Sequence, residues 1–334
     1  MTARQLEPLG LLSGPDARIA IAANLARPLW NGPLAFTMVR QPGTSPVPVQ
    51  DWPGSLEALT AALPRWAGLP PGPLVMGIVN VTPDSIFGRT LEPEAAVSAG
   101  KRLIAEGADL LDIGGESTRP GAEPVSPAEE QRRILPVIAA LAEEGTPISV
   151  DTRNAETMAR ALEAGATIVN DISALRHDPD SAALVAERGC PVILMHMRGD
   201  DPRTMLDHAR YTDVAAEVTA ELAHRIAQAE AAGVKREQIA VDPGFGFAKR
   251  QAHSRELLQR LSLLLNLRCP IIAGLSGKGF VRAMGGAATA EESGPASVAA
   301  GLAALSRGAT ILRVHHVAST VQAIRVWRAL NEEC

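Results

Sequence analysis

With 334 residues, 46% of them hydrophobic and 21% charged, the chain has the composition of a globular protein with one large core or two ordinary ones. A formal net charge of −5 and the lack of any basic run exclude an electrostatic footprint for nucleic acid. No apolar stretch reaches the roughly 18–20 residues needed to cross a bilayer, so neither nucleic acid nor a membrane is an expected partner.

The N-terminus, MTARQLEPLG, lacks the basic start and apolar run of a signal peptide. Three widely separated cysteines, Cys190, Cys269 and Cys334, suit a reducing compartment, so a cytoplasmic location is expected. Residues 1–73 stand apart as a small α+β extension whose role is not legible. Within it DARIAIAANLARPLW (16–30) and GPLAFTMVRQPG (32–43) each read as supplying a strand, and SLEALTAALPRWAGL (55–69) as an amphipathic helix. The run Leu69-Pro70-Pro71-Gly72-Pro73 reads as a linker, because proline prevents helix continuation.

From residue 74 to 334, short β-branched runs alternate with helix-length amphipathic segments. Strands are expected at 74–80, 108–114, 147–152, 167–173, 191–196, 239–244, 270–276 and 310–315, with helices such as 213–232 and 295–306 between them. Glycine followed by alanine or valine recurs before strands, at Gly107, Gly165, Gly233 and Gly308, as a helix C-cap requires. Eight strand–helix units are what a closed (β/α)8 TIM barrel needs. A doubly wound sheet would carry a Gly-x-Gly-x-x-Gly turn after its first strand, whereas this chain reads Asn80-Val81-Thr82-Pro83-Asp84. A P-loop is excluded for GLSGKGF (274–280) as well: Ile272 holds the first glycine's place and Gly279 the hydroxyl residue's.

Barrel chemistry collects at the C-terminal ends of the strands, and there each expected strand delivers a polar residue. In chain order these are Asn80, Asp112, Asp151, Asn170-Asp171, His196, Asp242, Ser276 with Lys278, and Arg313 with His315-His316. One aspartate after a strand is ordinarily a helix N-cap, but a whole ring of polar groups implies a polar ligand at the mouth. Asp112, Asp151, Asn170 and Asp242 suit a heterocycle rich in N–H donors. Asn80, Arg313 and His315, on the first and last strands, suit a phosphate-like anion. A protein-ligated transition metal on His196, His315 and His316 is the competing reading. It lacks HExxH or a close ligand pair, and adjacent residues of a strand point to opposite faces.

The strings MGIVNVTPDS (76–85), DIGGESTRPGA (112–122), VDT (150–152), IVNDIS (168–173), LMHMRG (194–199), DPGFGFAK (242–249) and RVHHV (313–317) together resemble the dihydropteroate synthase family over about residues 74–330. The resemblance implies a transferase of alkyl or aryl groups that joins a dihydropterin pyrophosphate to an arylamine, usually 4-aminobenzoate, and releases pyrophosphate. It implies pterin contacts at Asp112, Asp151, Asn170, Asp242 and Lys278, and a pyrophosphate site at Asn80, Arg313 and His315. It further implies a mobile arylamine loop at Ser117, Thr118, Arg119 and Pro120, and a Mg²⁺ cofactor that rides on the diphosphate near Asn80. A homodimer is the expected assembly.

The chain also departs from the family pattern. Ser276-Gly277-Lys278-Gly279 stands where members usually read Ser-Arg-Lys followed by serine or another polar or bulky residue, so two side chains on the arylamine side are missing. The first loop reads Asp84-Ser85-Ile86-Phe87-Gly88-Arg89 in place of DSFSDGG, and His316 replaces an aspartate. The alternatives implied are a homologue acting on ribofuranosyl-aminobenzene phosphate in tetrahydromethanopterin synthesis, and a non-catalytic or methyl-transfer pterin-binding module.

Overall fold

A computed structural model describes residues 5–30, 32–82, 92–117 and 125–332. The N-terminal region forms a small antiparallel sheet from β1 (Glu7–Ser13), β2 (Arg27–Pro28), β3 (Leu34–Arg40) and β4 (Val47–Pro48), in which β1, β2 and β4 all pair with β3. The strand expected in 32–43 is β3. The segment 16–30 departs from expectation, because helix α1 (Gly14–Ala22) takes its first part and only β2 is extended. Pro15 in the first helical turn and the run of alanines favour helix, and Ala17 and Ala20 pack against Ala35 of β3. The helix expected in 55–69 shrinks to α2 (Glu57–Thr60), with Pro64 interrupting any continuation of it.

From residue 74 onward β5 (Leu74–Asn80), α3 (Pro93–Ala105), β6 (Leu110–Gly114), α4 (Pro127–Ala142), β7 (Ile148–Asp151), α5 (Ala155–Glu163), β8 (Ile168–Asp171) and α6 (Ser181–Arg188) make the first half of the barrel. The second half runs β9 (Val192–Met195), α7 (Val214–Ala231), β10 (Ile239–Asp242), α8 (Gln251–Gln259), β11 (Ile272–Ala273), α9 (Gly279–Gly285), α10 (Gly294–Leu305), β12 (Ile311–Val314) and α11 (Val317–Asn331). Among the described residues β5 to β12 form one eight-stranded sheet of parallel neighbours, in which β12 lies beside β5. A parallel bridge from Val241 to Ile271, with the Val241 N–H donating to the Pro270 carbonyl at 2.9 Å, joins β10 to the chain entering β11 and closes the ring. The structure is thus a (β/α)8 barrel with an N-terminal extension. Strand β11 is shorter than the sequence indicates: Pro270 has no N–H to donate, and beyond Ala273 the chain turns out toward the barrel mouth.

The glycines at 107, 165, 233 and 308 all have φ between 95° and 112°, the left-handed region that ends each preceding helix and that side chains resist. Helix α7 starts where it does because the Asp213 carboxylate accepts from the Ala216 N–H at 2.9 Å. No described helix is long and apolar enough to cross a membrane.

The interior of the barrel is layered by the two-residue period of its strands. The lower layer, at the N-terminal ends of the strands, is apolar: Met76, Leu110, Ile168, Ile193, Ala240, Ile272 and Ile311 cluster there around Trp66. Moving two residues along the same strands gives Asp112, Asn170, Asp242 and Arg313. Trp66 comes from the extension; its ring is buried and its indole N–H donates to the Gln238 carbonyl at 2.8 Å. The extension is also tied at the side. Buried Glu7 accepts from Arg40 Nε at 2.9 Å and from Arg260 Nε at 2.8 Å, and the Asn266 amide bonds both the N–H and the carbonyl of Leu6. Trp66→Ala removes the plug of the lower layer and should cost about 3–5 kcal/mol, read as a shift of the denaturant midpoint with an unchanged slope.

Candidate active site at the barrel mouth

The upper layer is a buried acid cluster held by one guanidinium. Arg313 Nε lies 2.5 Å from Asp112 Oδ2 and its Nη2 lies 2.7 Å from Asp151 Oδ2. Asn170 donates its amide N–H to the Asp112 carboxylate at 3.2–3.3 Å. Asp112 has no exposed surface, and Asp171, next to Asn170 in the chain, is equally buried. Asp171 is structural: its carboxylate accepts from the N–H groups of Ser173 and Leu175 at 2.6 and 2.9 Å and so shapes the turn after β8. Asp242 accepts from the Gly244 N–H at 2.7 Å. Burial raises Asp151 above the usual carboxylate range, with Arg313 opposing and Asp112 reinforcing the rise. Burial likewise raises Asp242, against the Gly244 N–H and the Lys278 charge.

Two adjoining cavities open over this cluster. The inner one is lined by Asp151, Asn170, Asp242, Met195, Ile172 and Phe247, among others. The outer one, of about 540 Å³, is lined by Asn80, Glu116, Ser117, Ser276, Arg282 and His315, among others. Asp151, Phe247, Gly274, Lys278 and Arg313 border both. Lys278 caps α9 and sets its ammonium 4.5 Å from the centre of the Phe247 ring. His315, just past β12, exchanges a hydrogen bond with the Ser276 hydroxyl at 3.1 Å.

The residues named from the sequence therefore fall together, and the two expected groups meet at Arg313. The structure sets this side chain among the pterin-type carboxylates as well as on the wall it shares with Asn80 and His315. Ser117 faces the outer cavity, whereas Thr118, Arg119 and Pro120 lie outside the described residues, as does the altered first loop at 84–89.

His196, a candidate metal ligand in the sequence, is committed elsewhere. Its Nδ1 accepts from Lys249 Nζ at 2.8 Å and its Nε2–H faces Glu221 Oε2 at 3.0 Å. Glu221 is also gripped by Arg198, which spans to Glu217 at 2.7 Å. The Lys249 ammonium, buried, also donates to the carbonyls of Phe247 and Gly244 at 2.9 and 3.1 Å. It thereby pins the loop that carries Phe247 into both cavities. Burial pulls Lys249 down to about 7 and His196 down to about 4, the neighbouring Lys249 charge adding to the latter. Lys249 ends the DPGFGFAK string, but its sequence neighbours assign it no role. Glu221 carries no signal at all, being one glutamate among several on α7, and Arg282 is equally unmarked.

A closed barrel whose strand ends deliver carboxylates, an amide and a guanidinium to a two-part mouth is an enzyme-type scaffold for a polar, nitrogen-rich ring placed beside an anion. Residues 76–315 match the family model described as pterin binding enzyme. Over 264 residues the chain is 42% identical to the dihydropteroate synthase of Neisseria meningitidis serogroup C, covering 78% of this chain and 93% of that one. The solved Xanthomonas albilineans dihydropteroate synthase with 4-aminobenzoic acid superposes with a TM-score of 0.73 at 48% identity, over 79% of this chain and 94% of that one. Its complex with 7,8-dihydropteroate matches at a TM-score of 0.70 and 44% identity over the same shares. The chain belongs to the pterin-binding enzyme family, among the dihydropteroate synthases.

The buried histidine makes stability depend on acid. Folded His196 titrates near 4 and an unfolded histidine near 6.5, so between these values only the unfolded chain takes the proton. The His196 contribution is fully present above about 6.5 and is lost as pH falls toward about 4, by up to about 3 kcal/mol. Asp151, raised by burial, works the other way in part of that range. The measurement is therefore the difference in unfolding free energy between the wild type and His196→Gln against pH, which should fall, to the wild type's disadvantage, as pH drops from about 6.5 toward about 4.

Proposed function

We infer that the chain joins 6-hydroxymethyl-7,8-dihydropterin pyrophosphate to an arylamine and releases pyrophosphate, 4-aminobenzoate being the arylamine that the Xanthomonas relative supports. The observation that carries the reading is the inner acid-and-amide cavity running directly into an outer cavity bordered by cations. Asp112, Asn170 and Asp242 present acceptors and an amide at the depth where a pterin ring's N–H edge would be read. Lys278 over the Phe247 face, together with Asp151, would frame the ring from the mouth. Asn80, Arg313 and His315 would take the diphosphate.

The chemistry asks for no strong base. The arylamine nitrogen supplies the electron pair of the new C–N bond, the methylene C–O bond breaks toward pyrophosphate, and the surplus N–H proton leaves to water. Positive charge gathering on the methylene would sit against buried carboxylates, and much of the rate would come from holding two substrates in adjoining cavities. A Mg²⁺ cofactor fits the donor chemistry to the extent of the Asn80 oxygen, since Mg²⁺ keeps most of its ligands as water and substrate phosphate oxygens. When bound it offsets charge on the leaving group. A cytoplasmic location and a homodimer belong to the same proposal. The second reading, a larger ribosylated arylamine phosphate, is favoured by Gly277 and Gly279, which leave the outer cavity free of side chains at two positions.

Pyrophosphate release should follow when dihydropterin pyrophosphate and 4-aminobenzoate are supplied with Mg²⁺. Release only with the ribosylated phosphate would move the assignment to that arylamine, and release with neither would sink the transferase reading. Lys278→Ala should weaken pterin binding roughly 10-fold or more by calorimetry. Arg313→Ala should cost about 3–5 kcal/mol of stability besides activity, because it strands two buried carboxylates.

A further inference from the structure

Arg282 lies one turn into α9, its N–H donating to the Lys278 carbonyl at 3.0 Å. Its side chain is half-buried and lines the outer cavity beside Lys278, Ser276 and His315. The Arg282 Nε is buried and has no hydrogen-bond partner among the described residues. The Nε atoms of Arg153 and Arg328 are buried and unpaired too, but those guanidiniums are held through other nitrogens, by Glu116 and by the Pro73 carbonyl. Arg198, Arg260 and Arg313 are held by carboxylates, whereas no side-chain partner engages Arg282 among the described residues. A buried donor left unmade is costly and calls for an explanation.

The surroundings point to an anion from outside the chain. The carboxylates that border the outer cavity are already engaged, Asp151 by Arg313 at 2.7 Å and Glu116 by Arg153 at 3.3 Å. A Cβ built on Gly279 would stand 4.0 Å from Arg282 Nη2, so any side chain reaching beyond Cβ there would crowd the guanidinium. Glycine at 279 leaves that face of Arg282 open.

We propose that Arg282 is a specificity-determining residue of the outer cavity, pairing with an anionic group, carboxylate or phosphate, on the tail of the second substrate. This rests on the transferase reading of the site. The arylamine nitrogen points inward to the pterin methylene, and the anion at its far end is held by Arg282 near the Lys278 turn.

Steady-state pyrophosphate release tests the assignment, with 4-aminobenzoate, a ribosylated arylamine phosphate and the neutral 4-aminobenzamide as co-substrates. Arg282→Ala should raise KM roughly 10–100-fold for the anionic arylamines, against a few-fold at most for the neutral amide. Arg282→Lys should recover part of the loss, and pterin affinity measured by calorimetry should hold, which separates the effect from misfolding. A penalty confined to the phosphate or to the carboxylate supports the assignment and names the source of the anion. Equal penalties for charged and neutral arylamines, or none for either anion, would overturn it. A wild-type enzyme that releases no pyrophosphate with any arylamine overturns the transferase reading itself, and this assignment with it.

Discussion

Three carboxylates, Asp112, Asp151 and Asp242, are packed into the top of the barrel, and the guanidinium of Arg313 binds two of them directly. Carboxylates removed from water and set side by side repel one another and lose hydration. One cation placed between two of them makes the cluster tenable. Arg313 sits on the last strand, 201 and 162 residues along the chain from its two partners. Its guanidinium reaches both carboxylates because β12 lies beside β5 in the closed barrel, so the site depends on that closure.

The same strands split stability and chemistry by depth. A two-residue step along β6, β8, β10 and β12 leads from Leu110, Ile168, Ala240 and Ile311 to Asp112, Asn170, Asp242 and Arg313. The lower layer is apolar and packs against Trp66, which gives the extension a packing role. The upper layer is polar and open to two cavities. Around its rim, Lys249 clamps the Gly244–Phe247 turn from within, with His196 and Glu221 behind it, so a wall of both cavities rests on a hydrogen-bond network centred on a buried lysine.

Much of this was legible in the residues. The strand at 74–80 was read to its ends, and the other barrel strands appear within the expected windows, because a parallel sheet buried on both faces leaves short continuous apolar runs bounded by glycine and proline. The misreadings have physical causes. Residues 16–30 alternate Ile19 and Ile21 as a strand would, yet both are at least partly exposed, and the buried contacts come from alanines at helical spacing. The helix expected across 55–69 broke at Pro64, and β11 was cut short by Pro270 and by the outward turn of the chain. Lys249 and Arg282 were hidden for another reason: a lysine or arginine in the sequence gives no sign of whether its head is buried.

By itself the sequence determined the short apolar strand runs, the repeated strand–helix unit, the polar residue at each strand end and the motifs of a pterin-binding family. These are local properties, encoded in neighbouring residues. Tertiary structure alone decided that Arg313 bridges Asp112 and Asp151, that Trp66 packs under the barrel's lower layer, that His196 faces Lys249 and Glu221, and that Arg282 has a buried donor unpaired beside the outer cavity. Each of these joins elements distant in sequence or depends on which atoms are shut away from water, and burial and proximity exist only once the chain has closed on itself.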